Sequence, residues 1–350
     1  MTRFWDIPVH DSTRVRDVRV AAEAAGGHAR LGPHRTAVAA LVATEPAANL
    51  FKHAGGGSIV IDVVERPGEG EPVPAVQHAS LDHGPGIHDV TAATRDGHTT
   101  SDASLGAGLG TCRRTSSAFD LFGSHRGTVA VARTDPDPGI SRVTAPPGPR
   151  AGGINVPLAH AEHSGDAWRL ARSGPRPTLM PADGLGHGVG AAHASGTAAD
   201  ELRRSAHLPP ADILRHMHPA LRPTRGAAVA VAQLDTDRAE LAFAGVGTIG
   251  AVPHTGTSWE PLILHPGIVG ARFPATVPVR RLPWGPDNVL VLHSDGLPAR
   301  WTPPDGPGLP THDPAVVAAT IPLDAGSSAR PPRDDTAVAV LARARAGPVS

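Results

Sequence analysis

Apolar residues first recur at helical spacing over residues 33–53, through Val38, Leu41, Val42 and Leu50. Pro46 interrupts this run and predicts a kink, because it has no N–H for the preceding turn. Gly55, Gly56 and Gly57 end it, and the β-branched stretch 58–64 predicts a strand. A second strand is expected just before Asp82, a glycine-rich loop running into a helix over 106–114, and a closing strand over 127–132. Residues 134–153 are dense in Pro and Gly, hold no period that could bury a face, and read as an interdomain linker. The pattern then changes to short strands at 169–172, 227–234, 241–246 and 289–293, with helices near 189–206 and 210–221. Strands and helices in separate runs predict an α+β architecture rather than a doubly wound sheet. Residues 342–350 are expected to fray.

Bulk properties narrow the function classes. A length of 350 residues suggests two domains. The net charge of -1 gives no general attraction to nucleic acid or an anionic membrane. No stretch reaches the ~18 apolar residues of a spanning helix, and the charged start lacks an apolar signal core, so the expected location is the cytoplasm. Cys112 is the only cysteine, which rules out an intrachain disulfide. There is no tyrosine, and cores must be built from Val, Leu, Ile and Ala. Lys52 is the only lysine in an arginine-rich chain, which marks a position that favours an ammonium.

Three clusters in the first part carry candidate chemistry. Glu45 and Asn49 stand four apart on one helix face, near Lys52 and His53. A carboxylate beside an amide oxygen suits a hydrated Mg²⁺. In Asp82-His83-Gly84-Pro85-Gly86-Ile87, a carboxylate at a strand end can accept from an exocyclic amine, while the glycines admit a flat base. In Ser104-Leu105-Gly106-Ala107-Gly108-Leu109-Gly110, successive amides can face phosphates at a helix start. Each cluster alone reads equally well as a solvated helix face, a turn or a flexible loop. Their order and spacing together resemble the GHKL superfamily, within it the anti-sigma-factor serine kinases, over about 37–133. The resemblance implies an ATP site in which Asn49 holds Mg²⁺, Asp82 takes the adenine amine, and Thr128 lies near the adenine. Lys52, Gly84, Gly86, Gly106, Gly108 and Gly110 complete it, and Glu45 matches the kinases' general base. Pro46 departs from the pattern.

The second part carries Asp166 in Gly165-Asp166-Ala167-Trp168, Asp183 in Asp183-Gly184-Leu185-Gly186-His187-Gly188, Asp295 in His293-Ser294-Asp295-Gly296, and Asp334-Asp335-Thr336. Carboxylates gathered at strand ends form the oxygen-rich shell that Mg²⁺ or Mn²⁺ prefers. Asp-Gly is also a common turn, and Asp96-Gly97 is assigned no role. Taken in order, and with Phe243-Ala244-Gly245-Val246-Gly247, these motifs resemble the SpoIIE-type branch of the PPM phosphatases over about 153–341. The resemblance implies two metal ions, with Asp183 bridging and the Gly184 carbonyl in the shell. Asp295 and Asp334 would hold the other side, and Asp166 would support the shell.

The expected fold is α+β: a GHKL (Bergerat) α/β sandwich over 1–134, a linker over 135–152, and a PPM-like β-sandwich flanked by helices over 153–345. The implied activity is metal-dependent hydrolysis of phosphoserine or phosphothreonine, with Asp183 and Asp295 at its centre. The implied substrate is a phosphorylated anti-sigma-factor antagonist (STAS domain) in partner switching. A non-catalytic ATP-binding switch and a bifunctional serine kinase/phosphatase are the alternatives.

Overall fold

The computed structural model describes residues 3–66, 72–87, 108–137, 149–256, 258–298, 301, 303, 308–326 and 334–342. Gly106, the middle of the expected linker and the expected frayed end beyond Ala342 lie outside the described residues.

The first half runs β1 (Trp5–Val9), α1 (Ser12–His28), α2 (Pro33–Asn49), β2 (Gly57–Arg66), β3 (Val73–Asp82), α3 (Gly108–Thr115), β4 (Ala118–Ser124) and β5 (Gly127–Thr134). Its strands form one antiparallel sheet in the order β1-β2-β3-β5-β4. The period-two alternation of β2 sends Ile59 and Ile61 to one face and Val60 to the other. The first face buries Val18, Ala22 and Ala25 of α1 with Ala39 and Ala43 of α2. Helix α1 is absent from the sequence reading because its buried stripe is mostly alanine. Asp11 caps it, accepting from the Thr13 N–H at 2.8 Å.

Pro46 lies inside α2 without ending it. Proline leaves the carbonyl four residues back without its helical donor. That carbonyl belongs to Val42, and the Cys112 thiol of α3 donates to it at 3.7 Å. Burial pushes the thiol pKa up to about 12, with the Glu45 carboxylate adding to the shift, so Cys112 keeps its proton. The helix then widens into a π-turn, Leu50–Ala54, capped by left-handed Gly55.

The second half contains β6 (Arg150–Val156), β7 (Asp166–Ser173), β8 (Arg176–Gly184), α4 (Val189–Ser205), α5 (Pro210–Leu221), β9 (Ala227–Asp235), β10 (Glu240–Val246), β11 (Gly250–His254), β12 (Arg280–Pro283), β13 (Val289–His293), α6 (Pro314–Ala325) and β14 (Thr336–Ala342). Sheets β12-β10-β9-β8-β7 and β11-β13-β14-β6 meet through Leu179, Ala232 and Phe243 against Leu290, Leu292 and Leu341. Helices α4 and α5 cover the outer face of the first sheet through Leu202, Ile213, Leu214 and Met217. Helix α6 covers the second through Val316, Ala319 and Ile321. The result is a β-sandwich flanked by helices.

Strand β6 begins inside the segment expected to be linker. Its glycines mark close approach rather than flexibility. A Cβ on Gly152 would stand 2.7 Å from the Ala315 nitrogen, and one on Gly153 2.7 Å from the Trp168 ring.

The two halves share a core. Val60, Ala79, Val129 and Val131 of the first sheet belong to the same apolar cluster as α6, Val291 and Val338. A bidentate ion pair crosses this seam: Arg133 on β5 donates to both oxygens of Asp313, at 2.8 and 2.7 Å. The guanidinium drives the Asp313 pKa down to about 2 against the opposing effect of burial. Asp313 also caps α6 through the Ala315 N–H at 2.9 Å. Arg133→Met should therefore lower stability by roughly 2–4 kcal/mol, because it strands a largely desolvated carboxylate. Denaturant unfolding checks this, and a loss below about 0.5 kcal/mol would place the pair among ordinary surface bridges.

Candidate active site

The carboxylates of the second half meet at one end of the sandwich. Asp183 closes β8 and stands opposite Asp166 at the start of β7. Asp295 follows β13, and Asp334 and Asp335 precede β14. Pro181 interrupts the β8–β9 ladder, which resumes in register at Ala182↔Val229, so Asp183 keeps its place beside the central strand. Gly184 is required by packing: a Cβ there would stand 2.9 Å from the Ala191 Cα of α4.

The five carboxylates divide by their bonding. Asp335 is buried and spent on backbone, accepting from the Leu158 and Gly165 N–H groups at 2.7 Å each. Asp166 is buried and accepts from the Ala337 N–H at 3.0 Å. Its own carbonyl accepts from Asn155 Nδ2 at 2.7 Å. These two pin β7 and the preceding loop to β14. Asp295 and Asp334 are exposed and Asp183 is half-buried, so these three face the opening. Asp335 was paired with Asp334 in the sequence, and only the structure separates the pin from the open carboxylate.

The cost of this clustering appears in the acidities. Burial raises the Asp183 pKa to about 7, with Asp295, Asp334 and Asp335 adding to the shift. Asp166 is raised well above the usual carboxylate range by burial and then by Asp183. Asp295 rises through burial and through Asp334. Like charges crowded this way call for a cation, and hard oxygen donors suit Mg²⁺ or Mn²⁺. Among the described residues, no three His, Cys, Asp or Glu side chains gather closely enough to enclose an ion. That arrangement suits a hydrated ion held by one or two carboxylates and its own waters.

Two neighbours complete the surroundings. Trp301 Nε1 donates to His293 Nε2 at 3.0 Å, so that nitrogen accepts, and Nδ1 faces the Ser294 carbonyl at 2.7 Å. Burial lowers the His293 pKa, in keeping with a neutral ring. Arg225, just before β9, lies against the 185–190 loop, its Nη1 at 3.5 Å from the His187 carbonyl. Sequence reasoning missed it, because only the pairing of β9 with β8 brings residue 225 beside residue 186.

In the first half, Asp82 ends β3 and is buried. Its Oδ1 accepts from the Gly84 N–H at 2.8 Å and the Thr128 N–H at 3.2 Å. Thr128 is its register partner on β5. Burial raises the Asp82 pKa against these bonds. Gly86 takes φ 77°, and Gly84 packs on Ala54, where a Cβ would stand 2.9 Å from its Cα. Glu45 approaches the start of α3: a Cβ on Gly108 would lie 2.6 Å from its Oε2. Asn49 is half-buried at the end of α2, Lys52 is exposed on the π-turn, and Gly110 is buried in α3. The structure thus gathers Asp82, Gly84, Gly86 and Thr128, and brings Glu45 to Gly108.

A metal-free prediction follows from Asp183. Its folded pKa lies above the unfolded value of 3.8, so the folded state binds the extra proton between those limits. Stability is then lost as pH rises from about 4 through about 7. In chelator-treated protein, Asp183→Asn should raise Tm at pH 8 and leave it nearly unchanged at pH 3.5. Added Mn²⁺ should raise the wild-type Tm and have much less effect on the variant. Thermal melts check both, and equal Mn²⁺ stabilisation of the two proteins contradicts a metal at Asp183.

Solved structures with a similar arrangement include one described as "The bacterial stressosome: a modular system that has been adapted to control secondary messenger signaling". It is 24% identical, covers 55% of this chain and 98% of that chain, and has a TM-score of 0.49. The RsbU and RsbW domains of Rv1364c from Mycobacterium tuberculosis are 21% identical over 57% of this chain and 62% of that chain, TM-score 0.47. The SiaA-PP2C domain of Pseudomonas aeruginosa is 20% identical over 55% and 85%, TM-score 0.44. No curated protein matches the chain significantly. Residues 174–343, which hold Asp183, Asp295 and Asp334, match the family model of Stage II sporulation protein E (SpoIIE).

Proposed function

We propose that this protein is a metal-dependent serine/threonine phosphoprotein phosphatase carrying a nucleotide-binding domain. The observation that carries the reading is the set of open carboxylates Asp183, Asp295 and Asp334 at one end of a SpoIIE-type sandwich, with the pKa values of Asp183 and Asp295 raised by burial and by the neighbouring carboxylates. Asp183 and the Gly184 carbonyl would hold two divalent ions together with Asp295 and Asp334, and Asp166 would support them from β7. Such ions, when bound, neutralise phosphoryl oxygens and make a coordinated water acidic enough to attack phosphorus. The chain's own part is to fix the carboxylates on two sheets that cannot slide, and to place Arg225 beside the loop.

The substrate proposed is a phosphorylated STAS-domain antagonist of an anti-sigma factor, as in partner switching. Asp183→Asn and Asp295→Asn should each lower Mn²⁺-dependent phosphate release from a phosphoserine protein by at least about a hundredfold, with unchanged circular dichroism. Release at the wild-type rate in both variants sinks the assignment.

The first domain is proposed to bind ATP with Mg²⁺. Asp82, with Thr128 and the Gly84–Gly86 turn, would take the adenine, while Asn49 and Lys52 would face the phosphates with Gly106, Gly108 and Gly110. Asp82→Asn should weaken ATP by roughly 1.5–3 kcal/mol, the worth of a hydrogen bond to a charged group. Calorimetry checks this, and absence of ATP binding to wild type with Mg²⁺ present removes the nucleotide reading.

Glu45, near the start of α3, is the candidate base for a kinase step. The widened turn Leu50–Ala54 directly follows Asn49, the residue proposed to hold Mg²⁺, and a displacement of about 1 Å there can cost on the order of a hundredfold. We therefore expect weak or absent phosphoryl transfer. The assay uses Asp183→Asn protein, labelled ATP and a candidate partner, and rapid stoichiometric serine phosphorylation there would show the bifunctional alternative to be right.

A further inference from the structure

The loop that begins at Asp183 holds more than ligands. Leu185 and Val189 are large apolar side chains left 46% and 59% exposed. The guanidinium of Arg225 lies against the glycines that directly follow them, Gly186 and Gly190. It occupies a groove that exists because residues 186 and 190 are both glycine. A Cβ on Gly190 would stand 2.8 Å from Arg225 Nε, and one on Gly186 3.0 Å from Nη1. Among the described residues no carboxylate pairs with Arg225, and its hydrogen bond to His187 is long at 3.5 Å. The opposite side of the opening is acidic, with Asp295 and Asp334 exposed. An anionic segment reaching Asp183 is therefore attracted by Arg225 on the loop side.

We propose that Leu185, Val189 and Arg225 form a docking rim for a phosphorylated protein segment in which an apolar residue directly neighbours the phosphorylated one. The proposal rests on the phosphatase reading for its biological setting. Arg225 meets the anionic group. Leu185 and Val189 bury the apolar neighbour, which converts their exposed surface into binding energy. The occupant is fixed by two features together: a cation without a carboxylate partner among the described residues asks for an anion, and the exposed apolar pair on the same loop asks for an apolar side chain within one residue of it.

The test uses the full chain and two fluorescent peptides carrying a non-hydrolysable phosphonate in place of phosphoserine. One has leucine beside the phosphonate and the other has serine. By anisotropy, wild type should bind the leucine peptide at least about tenfold more tightly, the effect of burying part of one apolar side chain. Leu185→Ser combined with Val189→Ser should cut that preference to below about threefold. Arg225→Gln should weaken both peptides alike, by about tenfold, and should not change the preference. Equal wild-type affinity for the two peptides, no binding of either, or a preference that survives the double substitution overturns the rim. Phosphate release from the matching phosphoserine peptide is read separately. Selective binding without release leaves the rim and removes the phosphatase reading, whereas release without selectivity does the reverse.

Discussion

Helix α6 is buried on both sides, and the rest of the molecule is arranged around that burial. Nine of its twelve residues are buried, from Pro314 through Leu323, as expected of a helix apolar around its whole circumference. One side packs on β6 and β14, the other on β3, β4 and β5 of the first half. The first sheet thus has helices α1 and α2 on one face and α6 on the other. Separating the halves would expose two apolar sheet faces and the helix between them. The sequence between Asp295 and Asp334 contains this helix, so both open carboxylates are tethered to an element that the first domain holds in place.

The same helix joins the two candidate sites. At its N-terminus, Asp313 is gripped by Arg133 and by Asp120, which accepts from the Asp313 N–H at 2.5 Å and meets His312 at 3.0 Å. At its C-terminus, the Leu323 carbonyl meets His83 Nε2 at 3.1 Å. His83 directly follows Asp82, which faces Thr128 across β3 and β5. A physical path of packed and hydrogen-bonded groups therefore runs from the Asp82 turn to the strands that carry Asp295 and Asp334. At the far end, the open carboxylates hold one another in an unfavourable state, while Asp335 and Asp166 use their charge on backbone amides. The site end of the sandwich is built by spending stability that the shared core supplies.

Short local motifs were legible in the sequence because their chemistry and their turns lie within a few residues. Asp183-Gly184, Ser294-Asp295-Gly296 and Asp82-His83-Gly84 all fall where strands end. The sandwich flanked by helices was also expected. Helix α1 was hidden because alanine carries little hydrophobic signal, although its packing against Ile59 and Ile61 is close. Strand β6 was hidden because Gly152 and Gly153 read as linker, when they are small so that Ala315 and Trp168 can approach. Pro46 reads as a kink within a helix that runs on; α2 does run through it, and a thiol seventy residues away in sequence serves the freed Val42 carbonyl. Arg225 had no local signal at all. Each miss involves a partner distant in sequence, which pattern and propensity do not encode.

The proposed phosphatase chemistry depends on divalent ions bound at the open carboxylates of the sandwich. Crystals of the full chain grown with Mn²⁺, measured at the manganese absorption edge, test it most directly. Two anomalous peaks about 3.5–4 Å apart are expected, both beside Asp183, one also at the Gly184 carbonyl and the other also toward Asp295 and Asp334. Crystals that hydrolyse a soaked phosphoserine peptide while showing no manganese at those residues would contradict it.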